Sequence, residues 1–245
     1  LALALVLSLC PAALAAEDGV SISNLEQLKE FARSCASDTY SQGLTVRLTA
    51  DIDAKESAVS VPVFYGTFDG QGHKISGLKL TDNDSEYGLF SRVETGAVIK
   101  DLNVSGDVTP GGQQTAVGGI AGKNSGTIAR CTFSGVVSGT DRVGGIAGDN
   151  AGTVTDCTSS GVVRGSRYTG GTAGYNSGTL LRCINEAAVN TTLTQESLAS
   201  LDNLEESVYA ILKGEELTEA AVTSDTGGIA GYSSGLVQSC RNIGD

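Results

Sequence analysis

"VGGIAGKNSGTIARCTFSGVVSG", residues 117–139, returns as "VGGIAGDNAGTVTDCTSSGVVRG" at 143–165, as "TGGTAGYNSGTLLRCINEAAV" at 169–189 and as "TGGIAGYSSGLVQSCRNIGD" at 226–245. The first three copies start 26 residues apart, and the fourth follows after 57, one period plus a 31-residue insertion. A weaker copy, "YGLFSRVETGAVIKDLNVSGDV", starts at Tyr87, and "VFYGTFDGQGHKISGLKLT" from Val63 reads as an initial coil. A period of this length marks a solenoid, in which each unit buries its apolar face only against its neighbours. The units hold short runs such as "GTIARCTF" and "GVV", broken by Gly and Asn, with no apolar stripe long enough for a helix. They predict a parallel β-helix whose successive coils lie about 4.8 Å apart, so six coils make a rod about 30 Å long.

Taken alone, "VGGIAGKNSG" at 117–126 looks like a phosphate-binding loop. That loop needs a Gly, four free positions, then Gly-Lys and a Ser or Thr for magnesium; here Val117 stands for the first Gly and Asn124 for the hydroxyl. The repeats give the glycines another role. Gly122, Gly148, Gly174 and Gly231 share one register position, and Gly126, Gly152, Gly178 and Gly235 another. A corner stacked on like corners asks for Gly both through close backbone approach and through positive φ. Asn124, Asn150 and Asn176 form a neighbouring column able to hydrogen-bond along the rod, and Asn tolerates the left-handed region.

Inside, Ile120, Ile146, Thr172 and Ile229 line up, as do Ile128, Val154, Leu180 and Val237, and Cys131, Cys157, Cys183 and Cys240. Ile128 and Cys131, three residues apart, share the interior only if a bulge or corner intervenes, and the spacing leaves that parity open. Stacked cysteines keep their Cβ atoms about 4.8 Å apart where a bridge wants about 3.8 Å, which favours free thiols over disulfides. No C-x-x-C exists and His73 is the single histidine, so no zinc site is expected.

Composition narrows the function classes. The chain has 33 Gly, 3 Pro, no Trp and no Met, with a formal charge of −12 and no Lys/Arg run. It is not collagen, and nucleic acid and anionic membranes are poor partners. Residues 1–16, "LALALVLSLCPAALAA", read as a secretory signal closed by Ala13-Leu14-Ala15, with Leu1 not the true start; a lipoprotein reading of Cys10 is weakened by the bulky Leu9 before it. Residues 17–62 read as an N-terminal cap, with an amphipathic helix starting at Ser23 or Asn24 and carrying Leu25, Leu28, Phe31 and Ala32. Cys35 near its end reads as a packing residue. Residues 63–245 are the β-helix. The insertion, about 190–222, carries Leu198, Leu201, Leu204, Val208, Ile211 and Leu212 at helical spacing, for packing on the rod or for a partner. Apart from the signal, no stretch is read as crossing a membrane.

These units, with the lead-in "LTADIDA" and "YGTFDGQGHKISGLKL", resemble the GLUG-repeat proteins of bacterial surfaces. The resemblance implies an all-β, right-handed, pectin-lyase-like parallel β-helix, exported and found as repeat regions of adhesins or of IgA-cleaving metallopeptidases. It implies location and shape more than activity. β-Helix enzymes on acidic polysaccharides need clustered carboxylates, calcium, or an Arg or Lys base on one outer face. The candidates are Arg130, Asp156 and Arg182 in one column and Asp149 a corner away, which also suit a simple charge ladder. His73, in a turn near Asp69, reads as solvated, and H-E-x-x-H is absent. The expectation is a non-catalytic, cofactor-free surface scaffold or adhesion module with an unknown extracellular protein or glycan as partner. The alternatives are a polysaccharide lyase or hydrolase, or the spacer of a metallopeptidase whose catalytic domain lies outside this chain.

Overall fold

The computed structural model describes residues 19–37, 39–82, 84–190 and 224–244. The signal-peptide reading of 1–16 and, beyond residue 190, the helical reading of about 190–222 lie outside them. Short Val, Ile and Thr runs between glycines do form strands, and each strand pairs in parallel with its counterpart one coil away. Three sheets result. An eight-stranded sheet runs from Val20–Ile22 through Thr45–Leu48, Thr67–Asp69, Val98–Lys100, Thr127–Ala129, Thr153–Thr155 and Thr179–Leu181 to Leu236–Gln238. A six-stranded sheet contains Val61–Phe64, Phe90–Val93, Ala121–Asn124, Ala147–Asn150, Ala173–Asn176 and Ala230–Ser233. An eleven-stranded sheet includes Ile52–Ser57, Lys74–Leu80, Asn103–Val108, Thr132–Gly144, Thr158–Gly170 and Arg241–Asn242. The chain is an all-β parallel solenoid, and Thr127 pairs with Thr153 and Thr153 with Thr179, the 26-residue period made physical.

Residues of like register are stacked and buried. Ile120, Ile146 and Thr172 are fully enclosed, as are Ile128, Val154 and Leu180, and Cys131 and Cys183. The parity question is resolved by the corner between the strands. Arg130 sits at φ 52°, in the left-handed region, and so do its counterparts Asp101, Asp156, Arg182 and Ser239 at 53°, 55°, 51° and 54°. One left-handed residue turns the chain, so Ile128 before it and Cys131 after it both face inward while Arg130 points out.

The glycine columns are a correction to half of the expectation. Neither Gly122, Gly148, Gly174 and Gly231 nor Gly126, Gly152, Gly178 and Gly235 has positive φ, and the Asn column likewise keeps negative φ. Close approach alone demands these glycines: a Cβ on Gly148 would lie 2.4 Å from the Val117 nitrogen, and one on Gly152 2.1 Å from the Gly126 carbonyl oxygen.

At the N-terminal end, helix Leu25–Ser34 is capped by Asn24, whose side chain accepts the Gln27 N–H at 3.0 Å. Its buried face carries Leu28, Phe31 and Ala32. Phe31 meets Phe64 and Phe68 edge-on or tilted at 6.1 and 6.0 Å, and these continue to Phe90. The ring cluster plugs the end of the core. The strands that follow, Thr45–Leu48, Ile52–Ser57 and Val61–Phe64, each belong to one of the three sheets.

Candidate functional site

The left-handed corner places its side chains outward in single file, one per coil, and the order is Asp101, Arg130, Asp156, Arg182. Alternating charge at the coil spacing produces forked pairs. Arg130 Nε and Nη2 donate to Asp101 Oδ1 and Oδ2 at 2.6 and 2.8 Å. Arg182 Nε and Nη2 donate to Asp156 Oδ1 and Oδ2 at 2.6 and 2.7 Å, and Thr155 Oγ1 adds a 2.8 Å bond to Asp156. The Arg182 hydrogen bonds, then that of Thr155, hold the Asp156 carboxyl down at about 2. Arg130 likewise holds Asp101 below the usual carboxylate range. A carboxylate so held stays ionised and is too weak a base to take a proton near neutrality. Asp101 was absent from the sequence-derived candidates, although "VIKD" at 98–101 parallels "TIAR" at 127–130.

Asp149 does not join this row. It lies in the six-stranded sheet between Lys123 and Tyr175, and its partner is Arg142, whose Nη1 is 2.6 Å from Asp149 Oδ2. The four candidate residues therefore fall into three separate ion pairs, two of them exposed at the corner and the third with Asp149 largely buried. Lys123 lies within strand Ala121–Asn124, aligned with Arg92 and Asp149, and the next element is strand Thr127–Ala129 and not a helix, which removes the phosphate-loop reading. His73 Nδ1 is 3.0 Å from Asp51 Oδ1 of the preceding coil, and its sequence neighbour Asp69 pairs with Lys100 at 2.6 Å.

The interior columns carry polar groups too. Asn124 Nδ2 donates to Asn150 Oδ1 at 2.7 Å, Asn150 to Asn176 at 2.7 Å, and Asn176 to Ser233 Oγ at 2.9 Å. A second file, Asn185 to Asn242 at 2.7 Å, escaped the sequence reading because it falls outside the glycine-rich core of the repeat. Cys131, Cys157, Cys183 and Cys240 are free, with the first three buried. Burial pushes the Cys183 thiol up to about 12, and a hydrogen bond with Cys131 together with burial raises Cys157. Thiols held protonated are poor nucleophiles and poor metal ligands. Among the described residues, no group of three or more His, Cys, Asp or Glu side chains is placed to hold a metal ion.

Stacked coils, glycine-lined corners and self-paired charges define a parallel β-helix of repeated coils. The family model of the GLUG motif matches residues 113–138, one such coil, and the same sequence pattern recurs at 143, 169 and 226. The chain is 33% identical over 115 residues to halomucin of Haloquadratum walsbyi, an alignment covering 40% of this chain. The chain spans about 1% of that relative's length. A crystal structure of a proposed immunoglobulin A1 protease from Bacteroides ovatus resembles it at a TM-score of 0.46 and 16% identity, over 69% of this chain and 66% of the other.

Proposed function

We propose that the chain is a non-catalytic scaffold or adhesion module displayed outside the cell, whose working properties are a stiff rod and a repetitive polar surface. The observation that carries this reading is the pairing of Asp101 with Arg130 and of Asp156 with Arg182 in forked bonds of 2.6 to 2.8 Å. Paired in this way, neither the carboxylates nor the guanidiniums are available for acid, base or calcium chemistry, whereas a ladder of such pairs suits a surface that must hold its shape. GLUG repeats and the likeness to a fragment of halomucin support a surface setting. No helix among the described residues is long and apolar enough to cross a membrane.

The test is an activity screen on polygalacturonate, alginate and casein, with Asp156→Asn as control. No release of unsaturated uronides, reducing ends or peptides is expected from either protein. Cleavage by the native chain that disappears in Asp156→Asn would overturn the reading in favour of a polysaccharide-active enzyme.

A further inference from the structure

Near the C-terminal end of the rod the outward column of the six-stranded sheet changes character. Coils that carry Arg92, Lys123 and Asp149 at this position are followed by Tyr175 and Tyr232, in direct register. Their rings stack at 4.9 Å with 14° between planes. Tyr168, at a left-handed corner with φ 48°, sets its ring edge-on or tilted to both, at 5.8 and 5.7 Å. One coil earlier, Arg142 holds the same corner, with its guanidinium 5.1 Å from the Tyr175 centroid and bonded to Asp149. Arg167 lies 4.4 Å over the Tyr168 ring and donates to the Tyr168 hydroxyl at 2.7 Å. Tyr232 is 43% exposed, and Tyr168 and Tyr175 are half-buried.

The backbone ladder sets the spacing of Tyr175 and Tyr232, and the ring–ring and arginine contacts restrain the side chains, which lowers the ordering cost of binding. Each ring offers an apolar body and a hydroxyl, and the flanking groups are polar. That combination matches a ligand with a C–H face and hydroxyls along its edge, the chemistry of a sugar ring. Charge sharpens the choice. Both arginines are engaged within the patch, one by Asp149 and one by Tyr168, and the chain's net charge of −12 repels polyanions. A folded protein partner needs about 1,000 Å² of complementary surface, whereas this patch is three rings bordered by charged side chains.

We propose that Tyr168, Tyr175 and Tyr232 form a binding platform for the pyranose rings of a neutral glycan, with Arg142 and Asp149 as its polar border. The proposal rests on the adhesion reading and gives that reading a ligand class. It is tested with the full chain and a set of neutral hexasaccharides of glucose, mannose and galactose, with oligogalacturonate alongside, followed by tyrosine fluorescence, which is readable because the chain has no Trp. Binding of at least one neutral oligomer with a Kd of about 1 mM or tighter is expected. Tyr232→Ala should weaken it roughly tenfold, while Tyr232→Phe, which keeps the ring, should stay within about threefold. Thermal melts of both variants establish that they fold. The proposal is overturned by the absence of binding to every neutral oligomer, by equal binding in a folded Tyr232→Ala, or by preference for the oligogalacturonate. Reducing ends measured in the same samples separate the two claims: failed binding without cleavage removes the platform and leaves the scaffold, whereas cleavage removes the scaffold.

Discussion

Gly148 shows how little room a coil leaves for a side chain. Its φ is ordinary, yet an added Cβ would press within 2.4 Å of the Val117 nitrogen and 2.7 Å of the Arg142 oxygen. Gly148→Ala should therefore destabilise the fold by about 1–3 kcal/mol through forced separation of two coils, measured as a fall in the denaturant midpoint. Thr172 shows the opposite case. It occupies a column otherwise made of isoleucine, fully buried, with an Oγ1 that finds no hydrogen-bond partner. Thr172→Val keeps the shape and removes the unsatisfied hydroxyl, so a gain of about 1 kcal/mol is expected in the same measurement. An unchanged or lower midpoint would mean that the hydroxyl has a partner in solution.

At the scale of the element, the corner ladder determines how the surface responds to acid. Asp156 has a folded pKa of about 2, below the ordinary value of about 3.9. Its contribution to stability is therefore complete above about pH 4 and is lost as pH falls through 2. The pair is exposed, so the effect on global stability is small; the site itself is the better readout. In Arg182→Gln, NMR titration of the Asp156 carboxyl should show the pKa climbing back toward the ordinary range. A value still near 2 would show that Thr155 and the local backbone, not the guanidinium, hold it down. Much of this element was legible beforehand. The spacing placed Arg130, Asp156 and Arg182 in one row, but it could not show that each sits in a left-handed corner, because neither Arg nor Asp signals that conformation as strongly as Gly does. For the same reason the sequence suggested positive φ at the glycines, where crowding alone is the cause.

Over the whole molecule, the period of the repeat determines almost everything that the 26-residue register can carry: sheet pairing, interior columns and the Asn file. What the period could not carry is contact between groups that belong to different sequence patterns. The meeting of Tyr168 with Tyr175 and Tyr232 spans an interruption of the repeat, and the Arg142–Asp149 pair joins a corner to a sheet. The plug of Phe31, Phe64, Phe68 and Phe90 likewise unites a helix with two successive coils. A quasi-one-dimensional rod depends on its ends, since each coil is stabilised only by its neighbours. Phe31→Ala should therefore cost about 3–5 kcal/mol although it lies outside every repeat, a loss read from the denaturant midpoint. A loss below about 1 kcal/mol would show that the helix is not the lid of the core.

All of this stands on coils laid one over another in strict register, and the cysteines supply natural markers for it. Crystals of the chain measured at a wavelength that enhances sulfur anomalous scattering would locate each Sγ without reference to any coordinates. The account predicts separate peaks for Cys131, Cys157 and Cys183 in a line, spaced by about 4.8 Å. Peaks scattered through the molecule, or fused in pairs at a disulfide distance of about 2 Å, would contradict it.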